Sequence, residues 1–248
     1  MYLTTQGLVL RVSDYNDHDA LLTLLTREYG RLTVKIRGLR RKNCPMIAPC
    51  QLLAYGEFTL FEHKGMYTAN EAHSIELFHG LRKDLPKLSL GTYFAQVAEI
   101  VSQEDMPGTE LMSLVLNCLY GLSVLDIPED KVKAVFELRC ACLAGYTPDL
   151  FRCHNCGSIH PDRFDVSAGL LECRDCRSAD SDGLRLPLSH GTLDAMRYIV
   201  SCDPKKLFCF DASVQTIDQL SQVTETYLST QLERGFSTLD FYKSLLFT

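Results

Sequence analysis

Arg31-Leu32-Thr33-Val34-Lys35-Ile36-Arg37 alternates between apolar and polar residues along its whole length. Leu32, Val34 and Ile36 fall on one side of an extended chain, and Arg31, Thr33, Lys35 and Arg37 on the other. Alternation at this period predicts a strand with one face in a core. The polar face is cationic, with a repeat of about 6.8 Å along the strand, close to the phosphate spacing of an extended single strand.

The surrounding residues extend this pattern. Arg27-Glu28-Tyr29-Gly30 is a hairpin-length link back to an apolar run over Asp19 to Thr26. Gly7 to Val12 is a further short apolar run. Glu57 to His63 and Met66 to His73 form a second hairpin around Lys64-Gly65. Strands at this density, divided by turn residues, predict a small β-barrel of the OB type over residues 1–80. A five-stranded sheet or an SH3-like barrel would give much the same pattern. Gly38-Leu39-Arg40-Arg41-Lys42-Asn43 carries the positive charge into a loop, and Arg27 lies at the hairpin turn. Tyr15 and Tyr29 are candidate stacking surfaces for bases. The candidate DNA-binding residues are therefore Arg27, Arg31, Lys35, Arg37, Arg40, Arg41 and Lys42. Contacts of this kind read phosphates and carry little sequence information. A solvated strand face beside a basic loop is the plainer interpretation of the same residues.

After residue 80 the period becomes helical. Pro86 to Gln103 places Leu90, Phe94, Val97 and Val101 on one face, and Pro107-Gly108 ends it. Helices are expected over Thr109 to Leu125, from Pro128 to about Ala144, from a Ser189 cap to about Val200, from Ser213 to about Glu233, and from Thr238 to Phe247. The expected fold class is multidomain α+β: an N-terminal OB-fold barrel (1–80), then an all-α domain (81–149 and 183–248) carrying an inserted four-cysteine zinc ribbon or knuckle (150–182).

That insertion holds Cys153-His154-Asn155-Cys156 and, sixteen residues on, Cys173-Arg174-Asp175-Cys176. Two C-x-x-C knuckles at this separation predict one tetrahedral Zn²⁺ site with a closed shell of four sulfurs. The predicted role is structural, with no open position for catalysis. Four unrelated thiols or two disulfides are the alternatives. The other seven of the eleven cysteines show no ligand spacing, and Cys118, Cys140 and Cys142 sit among apolar residues as core fillers. So many cysteines without a disulfide framework suit a reducing cytoplasm. Met1 to Gln6 lacks a basic segment followed by an apolar core, so no signal peptide is expected. The apolar stretch Leu111 to Leu125 is interrupted by Ser113, Asn117 and Ser123, so no membrane span is expected.

The net charge is −6, but residues 1–45 carry eight Arg or Lys against four Asp or Glu. A basic N-terminal module on an acidic body suggests one polyanion-binding region. In the third helix, Arg139 interrupts the apolar stripe of Val132, Val135, Phe136, Cys140 and Leu143. A buried Arg needs an acceptor or lines a groove. Arg139 is either a snorkelling side chain paired with a Glu or part of a partner-peptide groove. No phosphate loop, dinucleotide fingerprint, H-E-x-x-H or G-x-S-x-G is present. His18 between Asp17 and Asp19 reads as a solvated loop, and His154 as an exposed residue within a knuckle.

The order of these parts resembles the RecO family of bacterial recombination mediators over nearly the whole chain. The resemblance is carried by Gly7-Leu8-Val9-Leu10, Tyr29-Gly30-Arg31-Leu32, Gly38-Leu39-Arg40-Arg41 and Phe136-Glu137-Leu138-Arg139. It continues through Gly145-Tyr146-Thr147-Pro148-Asp149-Leu150, the two cysteine pairs, Tyr227-Leu228 and Phe236-Ser237-Thr238-Leu239. It implies a non-catalytic cytoplasmic, nucleoid-associated protein that binds single- and double-stranded DNA and anneals complementary strands. It also implies help in loading the RecA recombinase on coated strands, through the RecR mediator and the acidic, hydrophobic C-terminal tail of the single-strand-binding protein (SSB). At the C-terminus the chain departs from a frequent family pattern: no Lys or Arg stands at Phe236-Ser237-Thr238-Leu239, and only Lys243 follows. A different reading of the same sequence is a zinc-stabilised protein-interaction adaptor with no direct DNA role.

Overall fold

A computed structural model describes residues 2–176 and 183–246. The N-terminal part is a closed barrel of β1 (Tyr2–Asp14), β2 (Ala20–Thr26), β3 (Arg31–Ile36), β4 (Tyr55–His63) and β5 (Met66–Glu76). The strand order around the barrel is β1-β2-β3-β5-β4. All pairs are antiparallel except β3 with β5. This is the expected OB-like barrel. β1 is longer than Gly7 to Val12 because its polar first half pairs with β4, Tyr2 to Leu8 against Phe61 to Tyr55. Its second half pairs with β2. The register shifts between Val9 and Arg11, where a bulge lets one strand serve both neighbours and close the barrel.

The parity of β3 is realised. Leu32, Val34 and Ile36 are buried with Leu22, Leu24, Phe58 and Leu60 in the barrel core. Leu39, Cys50 and Ala54, from the connection between β3 and β4, join the same core. The hairpin at Gly30 rests on the connection between the first two helices, where the Arg31 amide donates to the Gln103 carbonyl (2.9 Å) and the Gly108 amide to the Arg27 carbonyl (3.0 Å). Gly30 has φ +64°, and a Cβ there would lie 2.2 Å from the Met106 carbonyl oxygen. Only glycine permits both the conformation and the approach.

Two compact units form: residues up to Asp126 with those from Phe236 onward, and Ile127–Gly235. In the first, the barrel is joined by α1 (Leu85–Val101), α2 (Thr109–Ser123) and α6 (Ser237–Leu246). Asp84 caps α1 by accepting the Lys87 amide. α6 packs on α1, with Phe236 edge-on to Tyr93 at 5.4 Å and the Thr238 hydroxyl on Gln96 Oε1 at 2.5 Å.

The second unit contains α3 (Glu129–Leu143), α4 (His190–Ser201) and α5 (Val214–Gln231), with Ser189 and Ser213 as side-chain caps of the last two. Between α3 and α4 lie β6 (Arg163–Asp165), β7 (Leu170–Glu172) and β8 (Arg185–Pro187), in the order β7-β6-β8. Arg185 holds the three strands together, pairing with Glu172 at 2.6 Å and Asp165 at 3.1 Å. Among the described residues no helix is long and apolar enough to cross a membrane.

Candidate nucleic-acid interface and metal centre

β3 presents its cations outward, but the structure uses them unequally. Arg31 Nη1 donates to the Glu99 carbonyl at 2.7 Å and Nη2 lies 3.5 Å from Glu104, so this guanidinium fastens the hairpin to the end of α1. Lys35 pairs with Asp19 at 2.9 Å and lies over the Tyr15 ring, 4.5 Å from its centroid. Asp19 also accepts the Gly38 amide and the Asn16 side chain. The Gly38 N–H, with Lys35 and Asn16, holds its carboxyl far below the usual carboxylate range. Arg40 pairs with Asp14. Asp14 at the end of β1 and Asp19 in the loop after it are thus taken by Arg40 and Lys35, while Asp17 of that loop is exposed and makes no ion pair among the described residues. Arg37, Arg41 and Lys42 are exposed and make no ion pair among the described residues. Arg27 is equally exposed but lies at the opposite end of β3, separated from them by the strand's length, about 20 Å. The rim at 37–42 therefore gathers the uncompensated charge, and Arg27 stands apart from it. Tyr15 and Tyr29 are both solvent-accessible.

The four cysteine sulfurs converge, all within 4.8 Å of one another. The first knuckle turns because the Gly157 amide reaches the Cys153 carbonyl at 3.0 Å, with Gly157 at φ +72°. The His154 amide donates to Leu171 of β7 (2.8 Å), and the Cys173 amide to Cys153 Sγ (3.3 Å). The Asn155 side chain donates to the Cys176 carbonyl at 3.2 Å and ties the knuckles together. Cys156 Sγ and Cys173 Sγ are 3.8 Å apart. Four sulfurs about 2.3 Å from a tetrahedral zinc have edges of about 3.8 Å, so the donor set fits a metal of that size and geometry. Burial raises the Cys153 thiol, but the amides of Cys156, Cys173 and Asn155 outweigh it and bring it down to about 6. Burial and the neighbouring sulfurs push Cys173 up to about 11. The contact with Cys156, then burial, pushes Cys176 up to about 12. Without a cation the sulfurs do not all ionise together; a metal removes that conflict. His154 is exposed, as expected.

The family model described as recombination protein O N terminal matches residues 1–78, and that described as recombination protein O C terminal matches residues 82–240. The chain belongs to the RecO family of DNA repair proteins. A DNA repair protein RecO of Acetivibrio thermocellus is 34% identical over 247 residues, 98% of this chain and 97% of that protein. Those of Alkaliphilus metalliredigens and Bacillus subtilis are 27% identical, over 99% and 92% of this chain and 100% and 88% of theirs.

In this RecO chain Arg139 has no carboxylate partner among the described residues. It is half-buried, and its Nη1 donates to the Ile199 and Val200 carbonyls, at 3.3 and 3.0 Å, at the end of α4. Terminal helix carbonyls lack partners within the helix and attract a cation. Nε and Nη2 make no hydrogen bond among the described residues. Sequence reasoning missed the neighbouring charges. Lys133 and Glu137, on what reads as the polar side of α3, are buried against α5. Lys133 Nζ meets Glu137 at 3.1 Å, Glu225 at 2.9 Å and both oxygens of Ser221 at 3.2 Å. The Thr224 hydroxyl donates to Glu137 at 2.8 Å. The one signal was their i, i+4 spacing, which exposed helix faces share.

Proposed function

We propose that this chain is a non-catalytic, DNA-binding recombination mediator. It binds single- and double-stranded DNA, anneals complementary strands, and helps load RecA on SSB-coated strands together with RecR. The observation that carries this reading is the barrel rim, where Asp14 and Asp19 are taken by Arg40 and Lys35 while Arg37, Arg41 and Lys42 remain uncompensated. Phosphates supply the missing counter-charge and release condensed cations. Lys35 and Arg40 join by exchanging their carboxylates for phosphates, Arg27 extends the track past the hairpin, and Arg31 positions the strand. The cysteine quartet holds one structural Zn²⁺ through Cys153, Cys156, Cys173 and Cys176, a clasp on the β6–β7 hairpin. The acidic SSB tail is received in the helical unit, where the unengaged donors of Arg139 face its carboxylates. The place of work is the cytoplasm, at the nucleoid.

The deciding experiment is strand annealing on naked and SSB-coated oligonucleotides. Annealing of both, with acceleration by RecR on coated strands, is expected. Annealing of naked strands alone argues against a mediator. Tight binding of an acidic, Phe-ending peptide with no DNA binding would favour the adaptor.

A further inference from the structure

The barrel carries a second exposed feature outside the basic rim. Strand registry places Lys35 of β3 beside Thr68 of β5, Thr68 beside Phe61 of β4, and Phe61 beside Tyr2 of β1. These four residues form one row across the outer surface. Next to it, at the β4–β5 hairpin, His63 pairs with Met66, followed by exposed Lys64. The outward face of a strand normally sheds large apolar groups. Here Tyr2 is 65% exposed, Met66 54% and Phe61 36%. The Phe61 and His63 rings are nearly parallel, 7° apart with centroids at 6.3 Å, and Tyr2 meets Phe61 at 5.1 Å. Rings two residues apart on one strand face stand about 6.8 Å apart, a step one extended nucleotide also spans. Sheet-borne aromatics that stack two or three unpaired bases are a general means of holding single strands. Lys64 at the hairpin is exposed and offers a phosphate partner; Lys35, in the same row, is held by Asp19 and joins by exchanging that carboxylate for a phosphate. Glu71, opposite Thr59 one row further along, limits the anionic track on that side.

We propose that Tyr2, Phe61 and His63 form a base-stacking platform for single-stranded nucleic acid, with its backbone held by Lys35 and Lys64. This rests on the DNA-binding reading above and adds to it a preference for unpaired bases, because a duplex keeps its base faces stacked internally.

The chain contains no tryptophan, so Phe61→Trp creates a single reporter on the platform. Oligothymidylate should quench its emission, and polyphosphate, which has charge but no bases, should leave it unchanged. Phe61→Ala with His63→Ala should weaken oligothymidylate binding by roughly 5- to 150-fold per ring. Its duplex affinity and salt slope should stay as in the wild type. These side chains are exposed, so circular dichroism and the melting temperature should match the wild type. An unquenched reporter, or wild-type oligothymidylate affinity in the folded double variant, overturns the platform. If Arg37→Glu, Arg41→Glu and Lys42→Glu together still weaken binding and flatten its salt dependence in that case, the DNA reading stands without it. If the charge reversal also has no effect, the DNA reading itself has failed, and the platform with it.

Discussion

Lys133 and Glu137 stand one turn apart on α3 and form an ion pair at 3.1 Å, with side chains only 3% and 0% exposed. A buried pair adds little net stability against a hydrophobic substitute, but breaking it strands a charge. Glu137→Ala leaves Lys133 with Glu225 as its one carboxylate among the described residues. It should therefore destabilise the chain by less than a fully stranded buried charge would, about 3–5 kcal/mol, read as a shift in the urea midpoint with the slope unchanged. Lys133→Met combined with Glu137→Leu should cost less than Glu137→Ala.

The same pair gives a pH signature. Burial raises the Glu137 carboxyl above its ordinary 4.5, opposed by Lys133 and Thr224 and aided by Glu225. The folded chain then holds this proton to higher pH than the unfolded chain. Above pH 4.5, up to the folded pKa, the folded state binds more protons, so this group's contribution to stability falls as pH rises. Subtracting the stability profile of Glu137→Gln from that of the wild type should isolate this negative slope. A flat difference would show that Glu137 titrates normally.

Metal analysis should find one zinc per chain. Cys153→Ser, or a strong chelator, should expose the residues near 151–176 to proteolysis while the barrel amides keep their hydrogen-exchange protection. DNA binding should change little, because the basic rim belongs to the other unit. A folded, zinc-free variant with selectively lost DNA binding would assign the clasp a direct part.

The basic residues should separate by role. Reversing Arg37, Arg41 and Lys42 to Glu should lower the magnitude of the log–log salt slope by about 2, at about 0.7 per phosphate contact on a single strand, with the melting temperature unchanged. Arg31→Glu should lower the melting temperature as well as the affinity, since it removes the bond to the Glu99 carbonyl and places like charge beside Glu104. The seven candidate cations thus divide into free cations, paired cations and one residue fastened to α1.

Arg139→Ala removes two charge-assisted bonds to the end of α4 and should cost about 1.5–3 kcal/mol. Arg139→Lys should recover part of this by placing an ammonium near the same carbonyls. Titration of each folded variant with an acidic, Phe-ending peptide checks the groove. Equal peptide affinity in the wild type and Arg139→Ala would confine Arg139 to its helix-capping bonds.

The barrel, the helices and the cysteine quartet were legible because each rests on a local rule. Strand parity in Leu32, Val34 and Ile36, the Ser189 and Ser213 caps, and paired C-x-x-C spacing are fixed by covalent geometry over a few residues. The first strand was read too short because Leu3 to Gln6 is not an apolar run; its strand state comes from pairing with β4. The β6–β7–β8 strands were missed because each is three residues long, below the length at which a period can be read.

The sequence by itself determined which residues are cationic, which sulfurs share a centre and which strand faces fill the barrel. Only the tertiary structure decided which charges are free. Asp14 and Asp19 meet Arg40 and Lys35 across loops, Arg31 is claimed by α1, and Lys133 and Glu137 are buried because α5 covers a side of α3 that its own pattern leaves polar. The same holds for Lys35, Phe61 and Tyr2, which lie far apart in sequence and share a row only through barrel closure. Local pattern sets what a residue can do. Long-range pairing sets what it has left to do it with, because a charge or ring is available only where no neighbour has satisfied it.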